Sequence, residues 1–273
     1  MNRVQPTLVA ESELQRALDC GELIRLYQPV IDLGSGEAVH VEALLRWDHP
    51  GRGLLAPGEF LVDEDDSSLL VRIGWSVVIE AARRAGEWRR AFPARPVTVA
   101  VNLFDDHLAL RDLPNRVQHL LEYNEIVDPR VLAFEVGEHH FVRTRSRTRD
   151  RLMVLRNLDV VVVVDDFGSS ALTPDVEPDA LCDWAVERFA WLHSAPLDVV
   201  KLDPQFVRRL VTKSRLRAVV DAAHDADVLV VALGVEDESM AEAAREVGCD
   251  LAQGFHFARP ERPNRIDELL AAP

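Results

Sequence analysis

The sequence predicts a parallel α/β fold of the (β/α)₈ barrel type. Three observations carry that prediction. Apolar runs of strand length alternate with amphipathic stretches of helix length, the runs repeatedly end on a polar side chain, and the five valines at 160–164 lead abruptly into Asp165 and Asp166. A run apolar on both faces belongs in a buried parallel sheet. Alternating strands and helices imply such a sheet, and a barrel of about 250 residues fits the chain without remainder. One domain is therefore expected over residues 1–273, with its core at 11–262.

Taken in order, residues 11–20 form an amphipathic helix with Leu14, Ala17 and Leu18 on one side. Residues 23–31 read as a strand, Gly34-Ser35-Gly36 as a turn and 38–47 as a second strand, together a hairpin. Glu42 sits in the second strand between apolar neighbours, and a buried carboxylate without a partner is costly, so it needs one. Residues 69–90 follow helical periodicity, with Leu70, Ile73, Val77, Ala81 and Ala85 inward and Arg83, Arg84, Glu87 and Arg89 on a solvated face. Strands at 97–102 and 131–135 end on Asn102 and Glu135, with a helix through Val117, Leu120 and Leu121 between them. An arginine-rich helix at 143–158 leads into the valine strand, and the pattern lapses beyond Gly168. It resumes with a strand at 197–203 carrying Lys201, a helix at 208–225, a strand at 228–236 ending on Glu236, a helix at 240–247 and a last strand reaching Gln253.

Asp and Glu outnumber Lys and Arg by 46 to 31, a formal charge of −15. Such a surface disfavours a nucleic-acid polymer, which needs a basic face. It suits a protein that holds divalent metals and uses them to receive a small anion. Cys20, Cys182 and Cys249 are widely spaced and odd in number, which indicates neither a disulfide framework nor a zinc ribbon. The sequence shows no signal peptide and no apolar run of about 18 residues, so no membrane partner is expected and the location expected is cytoplasmic.

Strand-end side chains of a barrel converge on one face. Glu42, Asn102, Glu135 and Asp165 together offer oxygen ligands suited to Mg²⁺ or Mn²⁺, and Asp166 beside Asp165 offers a second ion a place. Two such ions activate a water and stabilise an in-line displacement at phosphorus, with Lys201 adding positive charge. Each residue alone is equally well explained as a buried member of a hydrogen-bond network; the set favours metal. Asp165-Asp166 in isolation reads as a solvated turn.

Tyr27-Gln28-Pro29, Glu42-Ala43-Leu44-Leu45-Arg46-Trp47, Val101-Asn102-Leu103, Glu135-Val136-Gly137-Glu138, Asp165-Asp166-Phe167-Gly168, Lys201-Leu202-Asp203, Gly234-Val235-Glu236 and Gln253-Gly254-Phe255 occur in the order of the EAL domains. The chain resembles that family of bacterial cyclic di-GMP phosphodiesterases and receptors from about residue 11 to 260. The resemblance implies a modified barrel with one antiparallel strand, and hydrolysis of cyclic di-GMP to linear pGpG by metal-activated water. It implies that Glu42, Asn102, Glu135 and Asp165 hold the first metal, that Asp165 and Asp166 serve the second, and that Lys201 and Gln253 orient water and the metal shell. Gln28 and Arg46 match ligand-contacting positions, and Pro260 matches a proline that borders one base. Arginine's planar fork suits a phosphate oxygen or a guanine edge.

The chain departs from that pattern in places. Leu233 stands where the family places the glutamate that completes the second metal site, leaving one complete site and one weakened. Glu236, three residues further along a strand, is expected on the opposite face. Residues 169–184 read as an insertion that replaces the loop organising the metal site and often a dimer contact. Phe104 replaces a small hydroxyl residue and Gly137 a threonine, both beside expected ligands. Asp65 stands where a glutamate is common. The activity expected is a phosphodiesterase of reduced rate; the alternative is an inactive cyclic di-GMP receptor or protein-interaction module. Regulation is expected from a protein partner or homodimer, and charge and spacing alone permit another small phosphodiester.

Overall fold

The computed structural model describes residues 9–61, 67–138, 145–192, 197–210 and 212–271. Asp65 and the start of the helix expected from residue 143 lie outside them. The strands are β1 (Leu23–Asp32), β2 (Ala38–His49), β3 (Gly53–Leu55), β4 (Thr98–Asn102), β5 (Leu132–Gly137), β6 (Val161–Phe167), β7 (Val199–Leu202), β8 (Leu229–Leu233) and β9 (Leu251–Gln253). Helix α1 (Glu11–Asp19) precedes β1 and α2 (Ser67–Ala91) joins β3 to β4. Helices α3 (Asp105–Ala109) and α4 (Leu113–Tyr123) lead to β5, and α5 (Arg145–Arg156) leads to β6. Helix α6 (Pro178–Leu192) precedes β7, α7 (Pro204–Leu210) and α8 (Lys213–His224) precede β8, α9 (Glu238–Val247) precedes β9, and α10 (Pro263–Ala271) follows.

Eight of these strands close into a barrel in the order β1-β9-β8-β7-β6-β5-β4-β2, with β1 pairing back onto β2 and β3 appended outside the ring. Strand β1 runs antiparallel to both its neighbours, and the others pair in parallel from β2 to β9. The hairpin accounts for that inversion: Asp32 accepts hydrogen bonds from the backbone N–H of Gly34 and Ser35, and so turns β1 straight into β2.

Alternation along each strand sorts side chains to the inside or the outside of the barrel. Val30, Ala100, Ala133, Val161, Val163, Val199, Val231 and Leu251 fill the interior as a dry plug. The intervening residues pack outward in the larger core, as Val41, Val101, Phe134, Val162 and Val200 do, with α2 lying against β2, β4 and β5. Among the described residues no helix is long and apolar enough to cross a membrane.

Several expectations need correction. The region after Gly168 is a short 3-10 turn (Ser169–Ala171) followed by helix α6, where the sequence reading places only an insertion to residue 184. Its helical signal is the buried series Leu181, Ala185 and Phe189, spaced by four. The single helix expected at 208–225 is two, because Thr212 caps α8 by accepting from the Arg215 N–H. Strand β2 continues seven residues past Glu42 to His49, paired with β3, so Glu42 is not strand-terminal. Strand β8 stops at Leu233 and does not reach Glu236.

Candidate active site

Above the apolar plug, the next inward position toward the mouth of the barrel is polar on seven strands. Gln28, Glu42, Asn102, Glu135, Asp165, Lys201 and Gln253 stand there, one each from β1, β2, β4, β5, β6, β7 and β9. The eighth position, on β8, is Leu233, paired in register with Gln253. Period-two alternation produces this ring: each member except Glu42 lies two residues from a valine, alanine or leucine of the plug.

Glu42 is the hub. Its Oε2 accepts from Lys201 Nζ at 2.7 Å and Gln253 Nε2 at 2.8 Å, and its Oε1 accepts from Asn102 Nδ2 at 3.0 Å. Lys201 Nζ also lies 2.5 Å from Glu135 Oε1, so one buried ammonium bridges two buried carboxylates. The partner that Glu42 needed is therefore Lys201. Burial opposes its charge, but Lys201 and the three hydrogen bonds outweigh that and hold the Glu42 carboxyl below the usual range. Burial likewise opposes the Lys201 charge, and the combined pull of Glu135, Glu42 and Asp165 raises its proton affinity above that of an ordinary lysine. Glu135 goes the other way: burial, then repulsion from Glu42, pushes its carboxyl well above the usual range. Oε2 of Glu135 is buried without a hydrogen-bond donor, as is Oε1 of Gln253. Among the described residues, no three His, Cys, Asp or Glu side chains meet in a metal-binding cluster. Lys201 stands between Glu42 and Glu135, and Asn102 turns its amide nitrogen to Glu42.

Adjacent residues of a regular strand point to opposite faces, yet both Asp165 and Asp166 reach the mouth of the barrel. The ladder between β6 and β7 shifts register between Val164 and Phe167, and Asp166 adopts the left-handed region at φ 53°. This bulge re-aims Asp166, a strained placement typical of functional sites. Burial and the neighbouring Asp165 push the Asp166 carboxyl up to about 6. Burial also raises Asp165, against the pull of Lys201. The turn that follows is tied down by Glu138, whose Oε2 accepts from the N–H groups of Gly168 at 3.1 Å and Ser170 at 3.3 Å. Arg188 of α6 lies 3.7 Å from the other Glu138 oxygen.

The aspartate pair divides a cleft into two lobes. One, of about 340 Å³, is lined by Leu44, Leu45, Pro57, Val77, Asn102, Leu103, Phe104 and Glu138 among others. The other, of about 360 Å³, is lined by Gln28, Glu42, Lys201, Leu233, Glu236, Gln253 and Phe255 among others. Asp165 and Asp166 border both. Each lobe falls at the small end of ligand-site volumes.

Most of the expected site residues thus come together, while two stand apart. Arg46 folds back on the Leu45 carbonyl at 2.7 Å and borders neither lobe, nor does Pro260. The segment leading to Pro260 is nonetheless close, since Gln28 Nε2 donates to the Ala258 carbonyl at 3.1 Å. Glu236 is a correction. The opposite-face expectation assumed a continuing strand, but the chain turns at Gly234 (φ 68°) and brings Glu236 to the lobe that Leu233 lines.

The chain matches the EAL domain family over residues 11–175 and 185–260, a match that skips residues 176–184. The chain belongs to the EAL domain family. It is 31% identical over 274 residues to the cyclic di-GMP phosphodiesterase NbdA of Pseudomonas aeruginosa, covering 99% of this chain and 33% of that protein. It is 30% identical to the oxygen sensor protein DosP of Escherichia coli, covering 94% and 30%. With the cyclic di-GMP phosphodiesterase RocR of P. aeruginosa it shares 29% identity, covering 93% and 61%. The EAL chain thus spans about a third of the first two and under two thirds of the third. The solved PaMucR phosphodiesterase, in complex with cyclic di-GMP, superposes with a TM-score of 0.80 at 30% identity, covering 93% of this chain and 98% of that one.

Proposed function

We propose that this EAL barrel binds cyclic di-GMP across the two lobes and hydrolyses it slowly to pGpG with the help of a divalent cation. The observation that carries this reading is the ring: seven polar side chains from seven strands, six of them bordering the two lobes and Glu135 buried against Lys201, with a leucine at the eighth position. A cation fits the donor set. Glu135 keeps one buried oxygen, Oε2, without a donor, and four carboxylates crowd the ring and its rim. Removing water from so many like charges is costly unless positive charge answers them.

Glu42, Asn102, Glu135 and Asp165 would hold Mg²⁺ or Mn²⁺, and Asp165 with Asp166 would hold a second ion more weakly. The bound ion would supply a water acidic enough to attack phosphorus at neutral pH. Lys201 and Gln253 keep Glu42 oriented through their hydrogen bonds. Lys201 also presents positive charge toward the lobe where a phosphate would lie. Leu233 offers no oxygen, so the second ion depends on Asp165, Asp166, water and the nearby Glu236.

That leucine favours a second reading, a receptor that binds the dinucleotide without cleaving it. The domain incubated with cyclic di-GMP and Mn²⁺ or Mg²⁺, with products resolved by chromatography, separates the two. Slow appearance of pGpG, faster by about tenfold or more in Leu233→Glu, supports the enzyme; outer-shell metal partners alone are typically worth that factor. Tight binding without any product under either metal supports the receptor. Absence of binding overturns both.

A further inference from the structure

We propose that Phe104 is an aromatic platform on which one purine of the bound dinucleotide stacks, an assignment that rests on the cyclic di-GMP reading above. Phe104 lies two residues past Asn102, where β4 ends, and borders the lobe lined by Leu44, Leu45, Pro57, Val77 and Leu103. It is only half-buried, so part of the ring faces the cavity.

The ring is backed from behind. Phe104 and His107 stack with centroids 5.5 Å apart and planes 24° off parallel. His107 is fully buried and fixed at both nitrogens: Nδ1 accepts from the Phe104 N–H at 3.1 Å, and Nε2–H donates to the Val71 carbonyl of α2 at 3.0 Å. Gly74 makes room for both rings. A Cβ there would sit 2.2 Å from His107 Cε1 and 2.8 Å from Phe104 Cδ2. A glycine inside a helix costs about 1 kcal/mol relative to alanine, so its place in α2 is explained by the rings it admits.

An apolar wall carrying an aromatic ring, in the same lobe as the carboxylates Asp165 and Asp166, fits a ligand that joins a flat aromatic base to a phosphate. The carboxylates take the phosphate through a cation, and the ring takes the base. Stacking on an aromatic side chain needs no hydrogen-bond code. This role belongs to the particular residue at 104, since a serine there would offer no face.

The test compares the wild-type domain with Phe104→Ser, Phe104→Leu and Phe104→Trp, using cyclic di-GMP with Mg²⁺ in calorimetry and a 2-aminopurine analogue of the dinucleotide in fluorescence. Phe104→Ser and Phe104→Leu should bind about 5- to 150-fold more weakly, the span of a base–aromatic stack worth about 1–3 kcal/mol. Phe104→Trp should bind within a few-fold of wild type. Bound 2-aminopurine should be quenched by wild type and markedly less by Phe104→Leu, a change that a purely structural role would not produce. Unchanged affinity and quenching in folded Phe104→Leu overturn the platform while leaving cyclic di-GMP binding intact. Failure of the wild type itself to bind overturns the underlying reading, and the platform with it.

Discussion

Replacing Lys201 by methionine removes the positive charge at the centre of the ring. The side chains of Lys201, Glu42 and Glu135 are 4%, 10% and 0% exposed, so water cannot take the place of the ammonium. Breaking a buried pair by deleting one partner costs about 3–5 kcal/mol, because the remaining charge stays buried and unanswered. Glu135 already holds its proton more tightly than usual and takes one up when the lysine is gone, which sets the cost near the lower end. At about 2–4 °C per kcal/mol for domains of 150–250 residues, about 3 kcal/mol lowers the melting temperature by about 6–12 °C. In the variant the folded-state affinities of Glu42 and Glu135 exceed the unfolded ones. The folded state therefore binds extra protons, and that stabilisation is present at low pH and lost as pH rises through the folded values. Melting of metal-free Lys201→Met, followed by circular dichroism, should show a small deficit near pH 5 and a larger one at pH 8. The double variant Lys201→Met/Glu42→Gln should recover part of the loss. Added Mn²⁺ at about 100 times its Kd should restore about 2.7 kcal/mol. A metal-free melting point within about 2 °C of wild type at pH 8 would show that the carboxylates do not depend on the ammonium.

Other consequences concern the support beneath the site. Gly168→Ala places a methyl 2.2 Å from Phe206 Cγ at a φ of 96°; the left-handed backbone and the overpacking together should cost about 2–4 kcal/mol in urea unfolding, and an unchanged midpoint would contradict the packing described. Trp184, the last residue of the segment that the family match skips, packs tilted by 40° against Phe167 at 5.5 Å and meets Phe206 at 6.3 Å, directly behind the aspartate pair. Trp184→Ala should therefore destabilise the domain by about 2–4 kcal/mol, whereas a surface insertion would tolerate it within about 0.5 kcal/mol.

The barrel and most of its ring were legible because both follow from period two. Once the valine strand fixes which residues face inward, Asp165 is inside, and the same parity carries Glu135, Lys201 and Gln253. Features that depend on broken parity do not follow from alternation, although Asp166 was expected in the site from its place beside Asp165. Asp166 reaches the cleft through a bulge, and Glu236 returns to it through the turn at Gly234. Alternation predicts the opposite for both. Helix α6 was hidden because its buried face is carried by Leu181, Ala185 and Phe189 while Val186 remains exposed, which blurs its amphipathic pattern. Glu138 showed only as one letter of a motif; its role in holding the turn at Gly168 and Ser170 requires the fold. The short reach of Arg46, folded onto its neighbour's carbonyl, likewise has no sequence signal.

Crystals of the domain grown with Mn²⁺ and cyclic di-GMP offer the most direct check, through anomalous scattering at the manganese edge. The expected map places one strong peak within ligand distance of oxygens of Glu42, Asn102, Glu135 and Asp165, with Lys201 displaced from between the two glutamates and a phosphate of the dinucleotide beside the peak. A ring that stays closed around Lys201, with no manganese at saturating concentration, would contradict the proposed metal-assisted chemistry.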